Sequence, residues 1–315
     1  MIAARLSAPR RFDICEVEQH EPGPGEVRVR MVGCGVCSSS IPLWEGRPWF
    51  DYPQPAGNPG HEGWGYIDKV GSEVEGLRPG MPVTLLSFHA FSQYDIVSAD
   101  CVVPLPAQLQ ARPFPGEPLG CVINIFDRAV IEPGQDVAVV GAGFLGILLI
   151  QLISALGARV VAISRRRSSL SLAKIFGAAE VVELNDESPE LARKIGGNKG
   201  FQRVIEAAGS QHTLDIASSL IAERGRLIIA GYHQDGPRQV NLQQWNWRGI
   251  DVINAHERQP KTYIQGMRRA VRAACSGQID PWPLLTHHFP LARINEACNL
   301  TSERPERFVK AIIEL

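Results

Sequence analysis

The stretch that most constrains this 315-residue chain runs from Asp136 to Leu156. Asp136–Val140 (DVAVV) is an unbroken apolar strand pattern, followed by Gly141-Ala142-Gly143-Phe144-Leu145-Gly146 and an apolar helical run. A Gly-x-Gly-x-x-Gly string alone is weak evidence. Between a buried strand and a helix it becomes specific. The first glycine permits the tight turn, the second lets backbone approach a pyrophosphate, and the third lets helix and strand pack closely. The helix start then offers its partial positive charge to phosphates. Gly141, Gly143, Phe144, Leu145 and Gly146 are therefore expected to bind a dinucleotide. The plainer alternative is a structural turn in an α/β fold that binds no nucleotide.

The flanking pattern supports the first reading. Strands are expected at Arg159–Ile163, Glu180–Leu184, Arg203–Glu206 and Arg226–Ala230, with helices near Ser168–Phe176 and Thr213–Ile221. Buried strands alternating with helices make βαβ units on a parallel sheet. The first 120 or so residues differ. Short alternating runs at Glu26–Val32, Gly65–Val70, Pro82–Leu86 and Asp95–Val97, punctuated by Pro22-Gly23-Pro24-Gly25 and Arg78-Pro79-Gly80, read as a barrel-like β region. Beyond about Asn254 a helix (Tyr263–Ser276) and a closing strand (Phe308–Ile313) are expected.

Composition narrows the function. With 44% hydrophobic and 21% charged residues, a sizeable core forms and disorder does not. A net charge of -1 gives no reason to expect nucleic acid or an anionic membrane as partner. The first twenty residues lack a signal-peptide pattern and no apolar run reaches the roughly 18–20 residues of a membrane span, so a cytoplasmic location is expected. Seven scattered cysteines argue against a disulfide framework.

Two further features bear on chemistry. The strand after the glycine turn ends at Ser164, followed by Arg165-Arg166-Arg167. An acid there would hold the ribose hydroxyls of NAD. A serine with neighbouring guanidiniums suits a 2′-phosphate, so NADP(H) is expected in preference to NAD(H). The competing reading is a solvated cluster at a helix start. Cys37 and His61-Glu62 lie in Gly-rich segments, and thiolate with imidazole suits zinc. Glu117 and Cys121 are both candidates for a third ligand. Taken singly, each such residue is more often packing than ligand, and the lone Cys34-x-x-Cys37 pair is weak evidence.

These motifs together carry a resemblance. Gly35-Val36-Cys37, Gly60-His61-Glu62-Gly63, Glu117-Pro118-Leu119-Gly120, the glycine turn, Glu206-Ala207-Ala208-Gly209-Ser210, Leu284-Leu285-Thr286-His287 and Arg307-Phe308-Val309-Lys310 resemble the medium-chain dehydrogenase/reductase superfamily, in its zinc-dependent alcohol and polyol dehydrogenase branch. The resemblance covers nearly the whole chain. It implies an α/β architecture: a GroES-like β-barrel catalytic domain (residues 1–118 and 255–315) and a Rossmann doubly wound parallel-sheet domain (119–254). It implies one catalytic zinc ion on Cys37 and His61, with Glu62 an outer or exchangeable ligand and Glu117 ranked above Cys121. Ser39 falls where relatives place the residue that takes the substrate's proton, and Ala208 and Lys310 match positions near the cofactor. The implied reaction moves a hydride between NADP(H) and an alcohol or carbonyl, a polyol, sugar-like or other secondary alcohol, in a homo-oligomer (dimer or tetramer).

Three departures stand out. The four-cysteine structural zinc lobe is missing, since Cys101 is the only cysteine between Leu77 and Pro106. Ser40 replaces a common acid, and Pro42 falls where some members carry a relay histidine. Trp44, Trp49, Phe50 and His89 belong either to the substrate cleft or to the β-domain interior. The alternatives are a zinc-free enone or quinone reductase of the same superfamily, and a non-catalytic dinucleotide-binding protein.

Overall fold

A computed structural model describes residues 1–185, 188–197 and 199–315. The chain divides into two compact units: Met1–Gly120 with Gln259–Cys275 and Pro281–Leu315, and Cys121–Arg258 with Ser276–Asp280.

The first unit opens with an antiparallel hairpin of β1 (Ile2–Ala8) and β2 (Arg11–Glu16). Then come β3 (Glu26–Val36), α1 (Ile41–Glu45), β4 (Glu62–Val70), β5 (Pro82–Leu85), β6 (Tyr94–Ser98) and β7 (Val102–Pro104). Helix α2 (Gly116–Ala129) follows. The second unit alternates β8 (Asp136–Val140), α3 (Phe144–Ala155), β9 (Arg159–Ser164), α4 (Arg167–Ile175), β10 (Glu180–Glu183), α5 (Ser188–Ile195), β11 (Phe201–Glu206), α6 (Gln211–Leu220), β12 (Ile221–Ile229), α7 (Leu242–Trp247) and β13 (Asp251–Asn254). The chain ends with α8 (Pro260–Cys275), β14 (His287–Pro290), α9 (Ile294–Glu303) and β15 (Ala311–Glu314).

The second unit's six strands lie in the order β10-β9-β8-β11-β12-β13, and every pairing is parallel. Strands covered on both faces read as apolar runs, as β8 does beyond Asp136 and β9 does from Val160 to Ile163. Helix α3 is apolar on every side and mostly buried, as a helix packed on the sheet must be. Strand order reverses between β8 and β11. Ligands of open α/β sheets bind beyond the strands' carboxyl ends at such a point.

The first unit's main sheet runs β14-β15-β3-β4-β5-β7, with β6 also on β3. Its interior packs Val29, Met31, Trp44, Leu85 and Phe91. Trp44 is therefore core, whereas Trp49 is 53% exposed. The closing strand starts at Ala311 rather than Phe308. Arg307 sits in the left-handed region at φ 69°, and the backbone of Val309 and Lys310 bonds Thr286 before the ladder begins. Among the described residues, no helix is long and apolar enough to cross a membrane.

Candidate metal centre and cofactor turn

Three strand ends of the first unit bring the candidate ligands together. Strands β3 and β4 are antiparallel with Gly35 opposite Glu62, so Cys37, just past β3, falls beside His61, just before β4. Strand β15 lies on the other side of β3 with Ala311 opposite Val36, which delivers Lys310 to the same place. The thiol sulfur of Cys37, an imidazole nitrogen of His61 and a carboxylate oxygen of Glu62 all lie within 4.8 Å of one another. They form the one such His/Cys/Asp/Glu group among the described residues.

The donors are oriented for a cation. His61 Nδ1 donates to the Pro59 carbonyl at 2.8 Å, which leaves Nε2 facing the cluster. The Ser39 hydroxyl donates to Cys37 Sγ at 3.1 Å and lies 3.5 Å from His61 Nε2. Glu62 is fully buried. Its Oε1 accepts from Lys310 Nζ at 2.5 Å, while its Oε2 has no hydrogen-bond partner. That oxygen occupies space only a glycine leaves, since a Cβ on Gly35 would stand 1.9 Å from it.

Glu117 enters from α2. The Thr84 hydroxyl on β5 donates to the Gly63 carbonyl at 2.9 Å and accepts from the Gly116 N–H at 3.0 Å, pinning the helix start beside β4. The Glu117 carboxylate is 7% exposed and lies outside the 4.8 Å set. Its charge nonetheless acts on both His61 and Lys310. Of the two carboxylates, Glu62 therefore lies inside the donor set and Glu117 outside it. Cys121 is half-buried one turn along α2 and also outside the set.

Electrostatics call for a cation here. Burial pushes the His61 imidazole down, but the Cys37 sulfur, Glu117 and Glu62 outweigh it and bring it to about 10. Burial likewise opposes the Lys310 charge, and Glu62 with Cys37 restores it above the ordinary lysine value. The Cys37 sulfur and the Glu62 and Glu117 carboxyls together draw positive charge onto His61 and Lys310, a role that a bound divalent ion would share. Donor types, orphaned oxygen and charge all fit zinc. Lys310, expected at the cofactor phosphates, is instead committed to Glu62 in this cluster. The sequence motif placed it but could not reveal its partner, which lies far away along the chain.

His61 also faces the ring of Phe88, 60% exposed, at a centroid distance of 6.2 Å. His89 is exposed, and its backbone N–H is held by Ser87 Oγ at 3.0 Å. Phe88 is a neighbour of His61 that sequence reading missed, because one aromatic in a short loop carries no periodic signal.

In the second unit the glycine turn follows β8. Gly141 has φ 111°, accessible to glycine, and a Cβ on Gly146 would stand 1.9 Å from the Gly141 carbonyl oxygen. Helix α3 starts after Gly143 without a side-chain cap, which leaves its positive end to an anion. Ser164 ends β9 and is buried, Arg165 is exposed and Arg166 half-buried. Arg167 is drawn away into an ion pair with Glu183 at 2.9 Å. Ala208 is exposed just past β11, at the same sheet edge as the turn.

Known proteins show the same two parts. Residues 23–107 match the alcohol dehydrogenase GroES-like domain model, and 145–272 match the zinc-binding dehydrogenase model. An alcohol dehydrogenase of Rhizobium meliloti (strain 1021) is 30% identical over 251 residues, covering 69% of this chain and 72% of that protein. Sorbitol dehydrogenase of Homo sapiens is 28% identical over 312 residues, covering 88% and 86%. The crystal structure of galactitol-1-phosphate dehydrogenase from Escherichia coli superposes with a TM-score of 0.86 at 23% identity, covering 100% of both chains, a likeness of fold.

Proposed function

This chain belongs to the zinc-dependent alcohol and polyol dehydrogenase branch of the medium-chain dehydrogenase/reductase superfamily, and on that footing we propose that it oxidises secondary alcohols of the polyol or sugar class, and reduces the matching carbonyls, with one zinc ion and NADP(H). The observation that carries the reading is the convergence of Cys37, His61 and Glu62 donors within 4.8 Å beside a buried lysine.

When bound, zinc supplies a Lewis acid for the substrate oxygen and the nicotinamide exchanges hydride with the substrate carbon. The protein's residues do the rest. Cys37, His61 and Glu62 hold the ion, with Glu117 as an outer or alternate ligand. Lys310 fixes one oxygen of Glu62, which leaves Oε2 for the ion. Ser39 is the first acceptor for the substrate's hydroxyl proton, as its hydroxyl sits against the donor cluster. Phe88 offers an apolar wall above His61. Gly141–Gly146 takes the pyrophosphate, and Ser164 with Arg165 and Arg166 takes the 2′-phosphate. The protein works as a homo-oligomer.

The test is zinc content per chain together with oxidation of NADPH and NADH against a panel of keto-sugars and small ketones. About one zinc per chain with faster NADPH turnover is expected. A zinc-free protein that still turns over would overturn the metal assignment, and equal use of NADH would overturn the cofactor assignment.

A further inference from the structure

A further buried carboxylate lies in the Rossmann unit. Glu206 ends β11 with no exposed surface. Its Oε1 accepts from the N–H groups of Ala208 and Gly209 and from the Thr213 hydroxyl, each at 2.8 Å. Its Oε2 takes His233 Nε2 at 2.9 Å. The opposite ring nitrogen, His233 Nδ1, accepts from Arg238 Nε at 2.9 Å. A guanidinium only donates, so Nδ1 carries no proton here and Nε2–H is the donor to Glu206. Arg238 then reaches the Gly209 carbonyl with Nη2 at 3.0 Å and pairs with Asp235. The bonds close a ring: Glu206 to Gly209, Gly209 to Arg238, Arg238 to His233, and His233 back to Glu206.

This ring clamps the turn after β11, residues 207–210, to the loop after β12, residues 230–238. Both lie at carboxyl ends of strands on one side of the switch point. The turn after β11 also abuts the glycine turn, since a Cβ on Gly141 would meet the Ala207 carbonyl carbon at 2.9 Å. Ser164 ends β9, on the opposite side of β8 from β11. With the pyrophosphate over Gly141–Gly146 and the adenosine ribose at Ser164, the other mononucleotide of the cofactor falls on the β11 and β12 side.

We propose that His233 and Arg238 are positioning residues for the nicotinamide half of the cofactor, acting through Glu206 and the two segments they clamp. The inference rests on the reading that this unit holds NAD(P)H. Neither residue needs to touch the reacting atoms. Their part is to hold the backbone around Ala208 and Gly209 in one arrangement, so that the nicotinamide meets a preformed wall.

The test compares whole cofactor with a fragment that lacks the nicotinamide. The zinc-loaded full chain and its R238Q and H233A variants are titrated with NADPH and with 2′-phospho-ADP-ribose, and their melting temperatures are recorded. The expected result is a rise of about tenfold in the NADPH Kd for either variant, the fragment's Kd staying within about twofold. H233Q, which can still donate to Glu206, is expected to fall between H233A and the wild type. Equal weakening of both ligands would reduce the ring to a general structural role and overturn the proposal, as would no change in either. A wild-type protein that binds neither ligand would instead overturn the cofactor reading beneath it.

Discussion

Lys310 and Glu62 share one buried contact at 2.5 Å, and neither side chain has water to fall back on. Removing one partner strands the other charge. Lys310→Met is expected to destabilise the fold by about 3–5 kcal/mol, read as a shift in the denaturation midpoint of metal-free protein. Glu62→Gln combined with Lys310→Met should recover much of that loss, and a double-mutant cycle with no coupling would contradict the pairing. Gly35 makes a separate point. Its backbone lies in the ladder between β15 and β4, and its missing Cβ is what admits Glu62 Oε2. Gly35→Ala should therefore lower bound zinc per chain by at least about fivefold, because the carboxylate must swing away from the donor set. Full zinc occupancy in that variant, measured by metal analysis, would show that Glu62 is not a ligand. Cys37 and His61 were legible from the sequence as candidate ligands because residue type and glycine context point to a metal. The placement of Glu62 inside the donor set and of Glu117 outside it was not, since it depends on strand register and on how Thr84 seats α2.

At the scale of elements, the proposed preference for NADP(H) rests on the end of β9. Ser164 is buried there and Arg165 extends into solvent, while Arg167 is held by Glu183 on β10. Ser164→Asp is expected to lower the ratio of kcat/KM for NADPH over NADH by at least about tenfold, through repulsion of the 2′-phosphate. An unchanged ratio would move the preference elsewhere. Arg167→Gln should leave the ratio within about twofold, its charge being spent on Glu183. The βαβ run was legible because strands buried on both faces are apolar throughout and the glycine turn marks their first crossover. The hairpin of β1 and β2, α9 and the short α5 were not anticipated. Half-exposed segments such as Arg11–Glu16 carry a broken alternation, and their place is set by what they pack against.

For the molecule as a whole, two buried carboxyls give the units opposite responses to acid. Burial would raise Glu206, but His233, the Gly209 and Ala208 N–H groups and the Thr213 hydroxyl hold it below the ordinary 4.5. The folded unit therefore binds that proton less readily than the unfolded chain. The stability it contributes is complete above the unfolded value and is lost as pH falls towards the folded one. Asp95 runs the other way. Burial raises it above the ordinary 3.8 against the Ser87 hydroxyl, so its contribution favours the protonated form and fades as pH rises through the folded value. As pH falls from about 5 to below the ordinary 4.5 the Rossmann unit should lose denaturant resistance, and Glu206→Gln should flatten that slope while lowering stability at neutral pH. A slope unchanged in the variant would remove Glu206 as its source. Neither carboxyl announces itself in sequence, where each is one acid among thirty-three Asp and Glu residues.

The pairing of β15 with β3 has a consequence for how the protein is made. Residue 311 must find residue 36, and the whole second unit is synthesised between them. While ribosomes extend the chain, β3 waits with the Gly33–Val36 end of one edge open, and Glu62 has no ammonium to meet it. The run from Cys121 to Arg258 meanwhile emerges as a nearly continuous segment and can fold on local contacts. Order of assembly is thereby written into topology: the nucleotide-binding part matures on the nascent chain, and the metal pocket gains its lysine only after the last strand has left the exit tunnel.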